Sequence, residues 1–150
     1  MIIKSIDLQN FRNYETEKIE FDENTNILYG DNAQGKTNIL EAIFLSGTSK
    51  SHKGSKDSEI INFSKDESHI KTVISKKEID YRIDIHIRKN KSKGIAVNGV
   101  PIKKSSELYG IVNIVFFSPE DLNITGRSWN HQRWSGEKKK IYGYGVVPAE

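Results

Sequence analysis

No cysteine occurs among the 150 residues, which excludes disulfide cross-links and zinc sites built on thiolates. Histidine is scarce as well, and His52, His69, His86 and His131 are too scattered along the chain to suggest a metal cluster. No apolar run is long enough to cross a bilayer. With 35% hydrophobic residues and a mean hydropathy of −0.60, the composition is that of a soluble chain with one core of ordinary size. Met1-Ile2-Ile3-Lys4-Ser5 runs directly into a strand-like pattern, without a charged leader, an apolar segment or a cleavage site. No export signal is therefore expected, and the expected location is cytoplasmic.

An excess of basic charge is also missing from most of the chain. Residues 1–125 carry 18 basic and 18 acidic side chains, so the net charge of +3 comes entirely from the last 25 residues, which hold five basic and two acidic ones. Both tryptophans, Trp129 and Trp134, and four of the eleven glycines lie there too. The shift marks a boundary between a segment 1–125 and a tail 126–150. The overall basicity is accordingly no evidence for nucleic-acid binding.

What is present is a complete phosphate-loop pattern, Gly30-Asp31-Asn32-Ala33-Gln34-Gly35-Lys36-Thr37. Asn26-Ile27-Leu28-Tyr29 before it reads as a short buried strand, and residues 37–45 after it have helical apolar spacing. Gly30 and Gly35 let the backbone turn tightly, so that amides converge on phosphate oxygens at the positive end of the helix. Lys36 supplies a compact positive charge for the β- and γ-phosphates, and the Thr37 hydroxyl suits one position on a magnesium ion. Asp31, Asn32, Ala33 and Gln34 shape the loop. A glycine-rich turn capping a core helix is the competing explanation.

Around this loop, residues 2–9 and 16–21 read as paired strands joined through residues 10–14. Residues 47–57, rich in Gly, Ser and Lys, read as a mobile loop. Residues 69–75 and 81–88 alternate strictly around a turn at Lys76-Lys77-Glu78, Asn90 to Lys93 forms the next turn, and residues 94–97 return as a strand. Asn98-Gly99 is a hairpin signal. Residues 111–117 form a central-strand run followed by Ser118-Pro119-Glu120-Asp121-Leu122, where Ser118 suits an N-cap and Pro119 a first helical position. The acids after Ser-Pro thus belong to a helix start, not to a Walker B strand. Arg88, Lys89, Lys91 and Lys93 cluster at a hairpin tip, as solvated turns do, although contact with DNA phosphates is open to them. Phe11 and Tyr14 suit core or strand-end packing, Arg12 is a candidate for reaching the nucleotide, and His52 reads as a simple polar loop residue, with a place near the phosphates as the alternative.

Leu8-Gln9-Asn10-Phe11-Arg12-Asn13-Tyr14, the loop continuing into Asn38-Ile39-Leu40-Glu41-Ala42-Ile43, and Phe117-Ser118-Pro119-Glu120-Asp121-Leu122 together resemble the start of the RecF family of DNA replication and repair proteins. The resemblance covers residues 1 to about 125. Lys50-Ser51-His52-Lys53 departs from an expected Arg-Ser-His-Arg, keeping charge but losing bidentate contacts. The resemblance implies an α/β fold: an incomplete P-loop NTPase head of the ABC/SMC type, with a β-meander inserted after the phosphate-loop helix. It also implies ATP with magnesium as ligands, an ATP-dependent homodimer, and binding to DNA at single-strand/duplex junctions in gap repair and the SOS response. Recombination mediator proteins are the implied partners. Family members hydrolyse ATP slowly through a signature loop, a Walker B acid and a switch residue encoded beyond residue 150, so hydrolysis by this chain alone is not expected.

Lys138-Lys139-Lys140-Ile141-Tyr142-Gly143-Tyr144-Gly145, back-translated and shifted by one base, permits three Lys/Arg residues followed by Phe-Met-Asp-Met-Glu. That resembles what RecF proteins carry at this point. The tail thus reads as out of frame from near codon 126, or as disordered. A fragment of another SMC-like ATPase, or a truncated peptide without activity, remains the alternative.

Overall fold

The computed structural model describes residues 1–30, 35–109, 111–117 and the strand backbone of 145–148. β1 (Ile2–Phe11) and β2 (Tyr14–Glu20) pair antiparallel around a turn at Arg12 and Asn13, with Phe11 opposite Tyr14. Arg12 sits at a φ of 53°, a left-handed conformation that costs a side-chain-bearing residue roughly 1–2 kcal/mol. Its side chain is therefore held by something stronger than the turn.

β3 (Glu67–Lys76), β4 (Ile79–Arg88), β5 (Lys91–Val97) and β6 (Val100–Pro101) continue as a meander, giving a sheet of six strands in the order β2-β1-β3-β4-β5-β6. Every pairing in it is antiparallel. Lys77 and Glu78 both have positive φ, as do Asn98 and Gly99, which is the geometry that matches a two-residue hairpin turn to strand twist. The turn from β4 to β5 falls at Lys89 and Asn90, so β5 begins at Lys91 and the strand expected over 94–97 is longer by one turn's worth of chain.

Alternation places Ile6 and Leu8, Ile70, Thr72 and Ile74, and Ile83, Ile85 and Ile87 on one buried face. Helix α1 (Lys36–Thr48) lies against that face through Ile39, Ala42 and Ile43. Ser46 sits in the same stripe, and its hydroxyl meets that of Thr72 at 2.7 Å while donating to the Ala42 carbonyl at 2.9 Å. The polar pair is thus satisfied inside the core. α1 is covered on its far side too: Leu45 is fully buried, and a Cβ on Gly47 would lie 2.5 Å from Ile114 Cδ1 and 3.0 Å from Val112 Cγ1. Glycine at this position leaves room for the Ile114 side chain of β7 (Ile114–Phe117). A short helix α2 (Asp57–Ile60) and a 3-10 turn (Ser105–Leu108) close the ends of the core with Ile60 and Leu108. β7 pairs antiparallel with β8 (Gly145–Pro148) in a separate two-stranded sheet.

One expected strand does not form. Residues 26–29 carry no strand hydrogen bonding among the described residues, and Ile27 and Tyr29 are 78% and 90% exposed. Local bonds turn the chain instead: Asn26 accepts from the Asp22 amide at 2.8 Å and donates to the Asp22 carbonyl at 2.9 Å, and the Asn24 amide donates to Asp22 at 2.9 Å. Leu28 alone of the four packs partly on the core. The acidic run after Ser118 lies outside the described residues.

Candidate phosphate-binding site

Gly35 caps α1 with a φ of 97°, and its carbonyl accepts from the amides of Asn38 at 2.8 Å and Ile39 at 3.1 Å. A Cβ at this position would lie 2.5 Å from the Tyr14 hydroxyl oxygen and 2.9 Å from Asn13 Nδ2. Glycine is thus demanded by conformation and by space at once. The first turn of α1 contains no acidic residue and no side-chain cap, so nothing in the helix neutralises its positive end. Lys36 reaches back across the loop, its ammonium donating to the Gly30 carbonyl at 2.8 Å. Gly30 itself has a φ of 140°. Thr37 lies half-buried in the same first turn. Asp31, Asn32, Ala33 and Gln34 lie outside the described residues.

The β1–β2 turn braces this helix start. Asn38 Nδ2 donates to Asn13 Oδ1 at 2.8 Å, and the Tyr14 hydroxyl covers Gly35, its pKa raised by burial first and then by the charge of Glu17. Arg12 turns its side chain to α1. Its guanidinium grips Glu41, one turn into α1, through Nε to Oε2 at 2.9 Å and Nη2 to Oε1 at 2.7 Å. The same group donates to the Glu59 carbonyl and to Ser55 Oγ, each at 2.7 Å. These four bonds hold the left-handed backbone of Arg12, since charged pairs of this kind contribute about 1.5–3 kcal/mol each.

Glu41 is 0% exposed. Burial alone would raise its pKa, but the hydrogen bonds from Arg12 and Ser51 and the charges of Arg12 and Lys53 hold it below the ordinary carboxylate value. Ser51 donates to Oε1 at 2.5 Å and Lys53 Nζ stands 3.5 Å from Oε2. The segment 47–57, expected to be mobile, is therefore tied to the helix through Ser51, Lys53 and Ser55. Glu41 was missed by motif reasoning, although its place between Leu40 and Ala42 in an apolar run was a signal: a charge there has to be buried with a partner.

His52 lies in the turn after α1, as expected, but its ring is packed against aromatics. Its ring packs on Phe44 and Phe116, at centroid distances of 5.8 and 4.4 Å. Phe11 is a core residue. At the basic hairpin tip, Lys89 pairs with Asp66 at 3.0 Å and Lys93 with Asp57 at 2.8 Å, which leaves less positive charge for DNA than the residue count suggests. The histidines, too, are less scattered in space than in sequence, for His69 and His86 stack at 3.9 Å.

An uncapped helix start behind a Gly-x-x-x-x-Gly-Lys-Thr loop, with a sheet on one side of the helix, is the arrangement of a P-loop ATPase head, and the chain belongs to the AAA domain family, which matches residues 5–142. RecF, the DNA replication and repair protein, is the more specific likeness: the RecF of Agathobacter rectalis is 70% identical over 124 residues, covering 83% of this chain and 34% of that one. The chain spans about a third of the length of the curated relatives it matches. A solved RecF recombination mediator of the RecFOR pathway, in complex with ATP, superimposes with a TM-score of 0.76 at 40% identity, over 81% of this chain and 34% of that one. The SMC head domain from Thermotoga maritima shares the fold, with a TM-score of 0.62 at 16% identity over 75% and 43% of the two chains. The resemblance to the start of RecF, and the P-loop head fold it implied, therefore hold.

Proposed function

We propose that this chain is the ATP-binding N-terminal segment of a RecF-type DNA repair ATPase, acting in the cytoplasm. The observation that carries this reading is the helix start itself: a glycine at φ 97° with no room for a Cβ, an α1 first turn free of acids, and Lys36 laid across the loop mouth. The residues fit a triphosphate. Amides of Gly30 to Thr37 would surround the phosphates, the Lys36 ammonium would exchange a neutral carbonyl for a charged oxygen, and Thr37 would offer its hydroxyl to magnesium. The magnesium would neutralise phosphate charge there. Asp31, Asn32, Ala33 and Gln34 are assigned by pattern alone, as loop backbone.

Binding is the whole of the activity proposed for the chain alone. Phosphoryl transfer needs charge neutralisation from several directions, and an ATP-dependent homodimer in the longer protein would supply the rest. DNA at single-strand/duplex junctions and other recombination mediators are the proposed partners of that longer protein. Titration of the full chain with ATP and magnesium, followed by calorimetry, is expected to give saturable one-site binding in the millimolar range or tighter, with AMP weaker by more than about tenfold because it lacks the β- and γ-phosphates. Equal binding of AMP, or none of ATP, would overturn the proposal.

Residues 126–150 are proposed to be a segment apart from 1–125, translated out of frame. The 124-residue length of the Agathobacter match supports a boundary there, while the AAA domain match runs further, to residue 142. Sequencing the genomic DNA across codon 126 tests it: a neighbouring frame encoding the Arg-rich continuation is expected, and an intact frame with no such continuation would refute it.

A further inference from the structure

The sheet face turned away from α1 carries a cluster that no phosphate chemistry uses. In the β3–β4 hairpin, His69 pairs directly with His86, and Glu67 lies two residues before His69 on the same face. The imidazole rings stack with centroids 3.9 Å apart and planes 22° from parallel. Glu67 Oε2 stands 2.9 Å from His86 Nε2, and Glu67 Oε1 stands 3.8 Å from His69 Nε2. One ligand atom from each of the three residues falls within 4.8 Å of the other two.

We infer that Glu67, His69 and His86 form a surface site for a divalent transition-metal ion of the zinc type, with three protein ligands and a fourth position left to water. Zinc bound to imidazole nitrogen and carboxylate oxygen at about 2.0–2.2 Å in tetrahedral geometry separates its ligand atoms by roughly 3.3 Å. The distances of 2.9 and 3.8 Å from Glu67 bracket that value, and the stacked rings have to turn out of parallel for both nitrogen lone pairs to meet one ion. Two imidazoles and one carboxylate select zinc, cobalt or nickel over magnesium and calcium, which take oxygen. The site is therefore chemically separate from the magnesium proposed at Thr37.

Its surroundings leave room for the ion. Gly94 of β5 pairs with His86, and a Cβ built there would meet nothing within 4 Å. The cluster is open to solvent, with Glu67, His69 and His86 side chains 53%, 43% and 33% exposed. Arg88, opposite Glu67 across the hairpin, is the nearby competing cation. Both histidines stand on strands whose register is fixed by ten paired positions, which preorganises the ligands better than a loop would. A bound ion would join β3 to β4 near the end of the hairpin remote from its turn.

Titrating the full chain with cobalt(II) without nucleotide tests this. One saturable site is expected, with visible d–d absorption of tetrahedral type that zinc abolishes by displacement, and a melting temperature that rises with zinc. His69→Gln, His86→Gln and Glu67→Gln should each weaken binding by more than about tenfold, while His131→Gln and Lys36→Ala should leave it unchanged. Circular dichroism checks that the variants fold. Should one fail to, zinc-dependent shifts of the His69 and His86 ring signals in the unmodified chain decide the matter. Absence of saturable binding, binding indifferent to all three replacements, or ring signals that do not move would overturn the inference.

Discussion

Alanine in place of Glu41 is expected to destabilise the chain by about 3–5 kcal/mol, enough to unfold a large share of it. The carboxylate is wholly buried, and removing it strands the Arg12 guanidinium, 19% exposed, without a counter-charge. Ser51 loses its acceptor and Lys53 its nearest anion. Arg12 would then have little to offset its left-handed backbone, so the β1–β2 turn should loosen together with the segment 47–57. Urea denaturation of the two proteins measures the difference; a loss below about 1 kcal/mol would mean that the ion pair is a bystander. The same pair fixes a pH dependence. The folded-state pKa of Glu41 lies below the ordinary value of 4.5, so its stabilisation is fully present above that value and is lost as the pH falls through the lowered folded-state pKa. The acid-induced loss of stability should be shallower in the Glu41→Ala protein.

Lys36→Ala is expected to weaken ATP binding by more than about a hundredfold while changing stability by less than about 0.5 kcal/mol. Hydrogen bonds to charged groups contribute about 1.5–3 kcal/mol each, and the ammonium has three donors for oxygens of two phosphate groups. Its bond to the Gly30 carbonyl lies in an exposed part of the chain, where losing one hydrogen bond costs the fold little. Parallel calorimetric titrations and melting curves separate the two effects. Retained affinity with an unchanged melting curve would show that triphosphate is held elsewhere.

The two hairpins of the meander were readable because their signals are local: strict alternation set the faces, and Asn98-Gly99 announced its own turn. The helix after the phosphate-loop pattern was readable for a similar reason, since its apolar spacing lies in one short stretch. What escaped was set by contacts across distance. Arg12 and Glu41 find each other only once the β1–β2 turn lies beside α1, so no local pattern announced their ion pair. Residues 26–29 had a short apolar run suited to a buried strand, but a strand needs a neighbour as well as a pattern, and Asp22 and Asn26 bent the chain instead. The pairing of His69 with His86 was in fact implicit, because both stand equally far from the turn at Lys77 and Glu78. Counting outward from that turn would have joined them.

β1 is flanked on one side by β2, its immediate successor, and on the other by β3, which begins only at Glu67. During synthesis the first strand therefore waits with one edge open while the phosphate loop, α1 and α2 emerge. Joining β3 to β1 closes a loop of more than fifty residues, whereas β2 and β4 join through two-residue turns. The seam between the first and third strands is accordingly where chain entropy weighs most on the rate of folding.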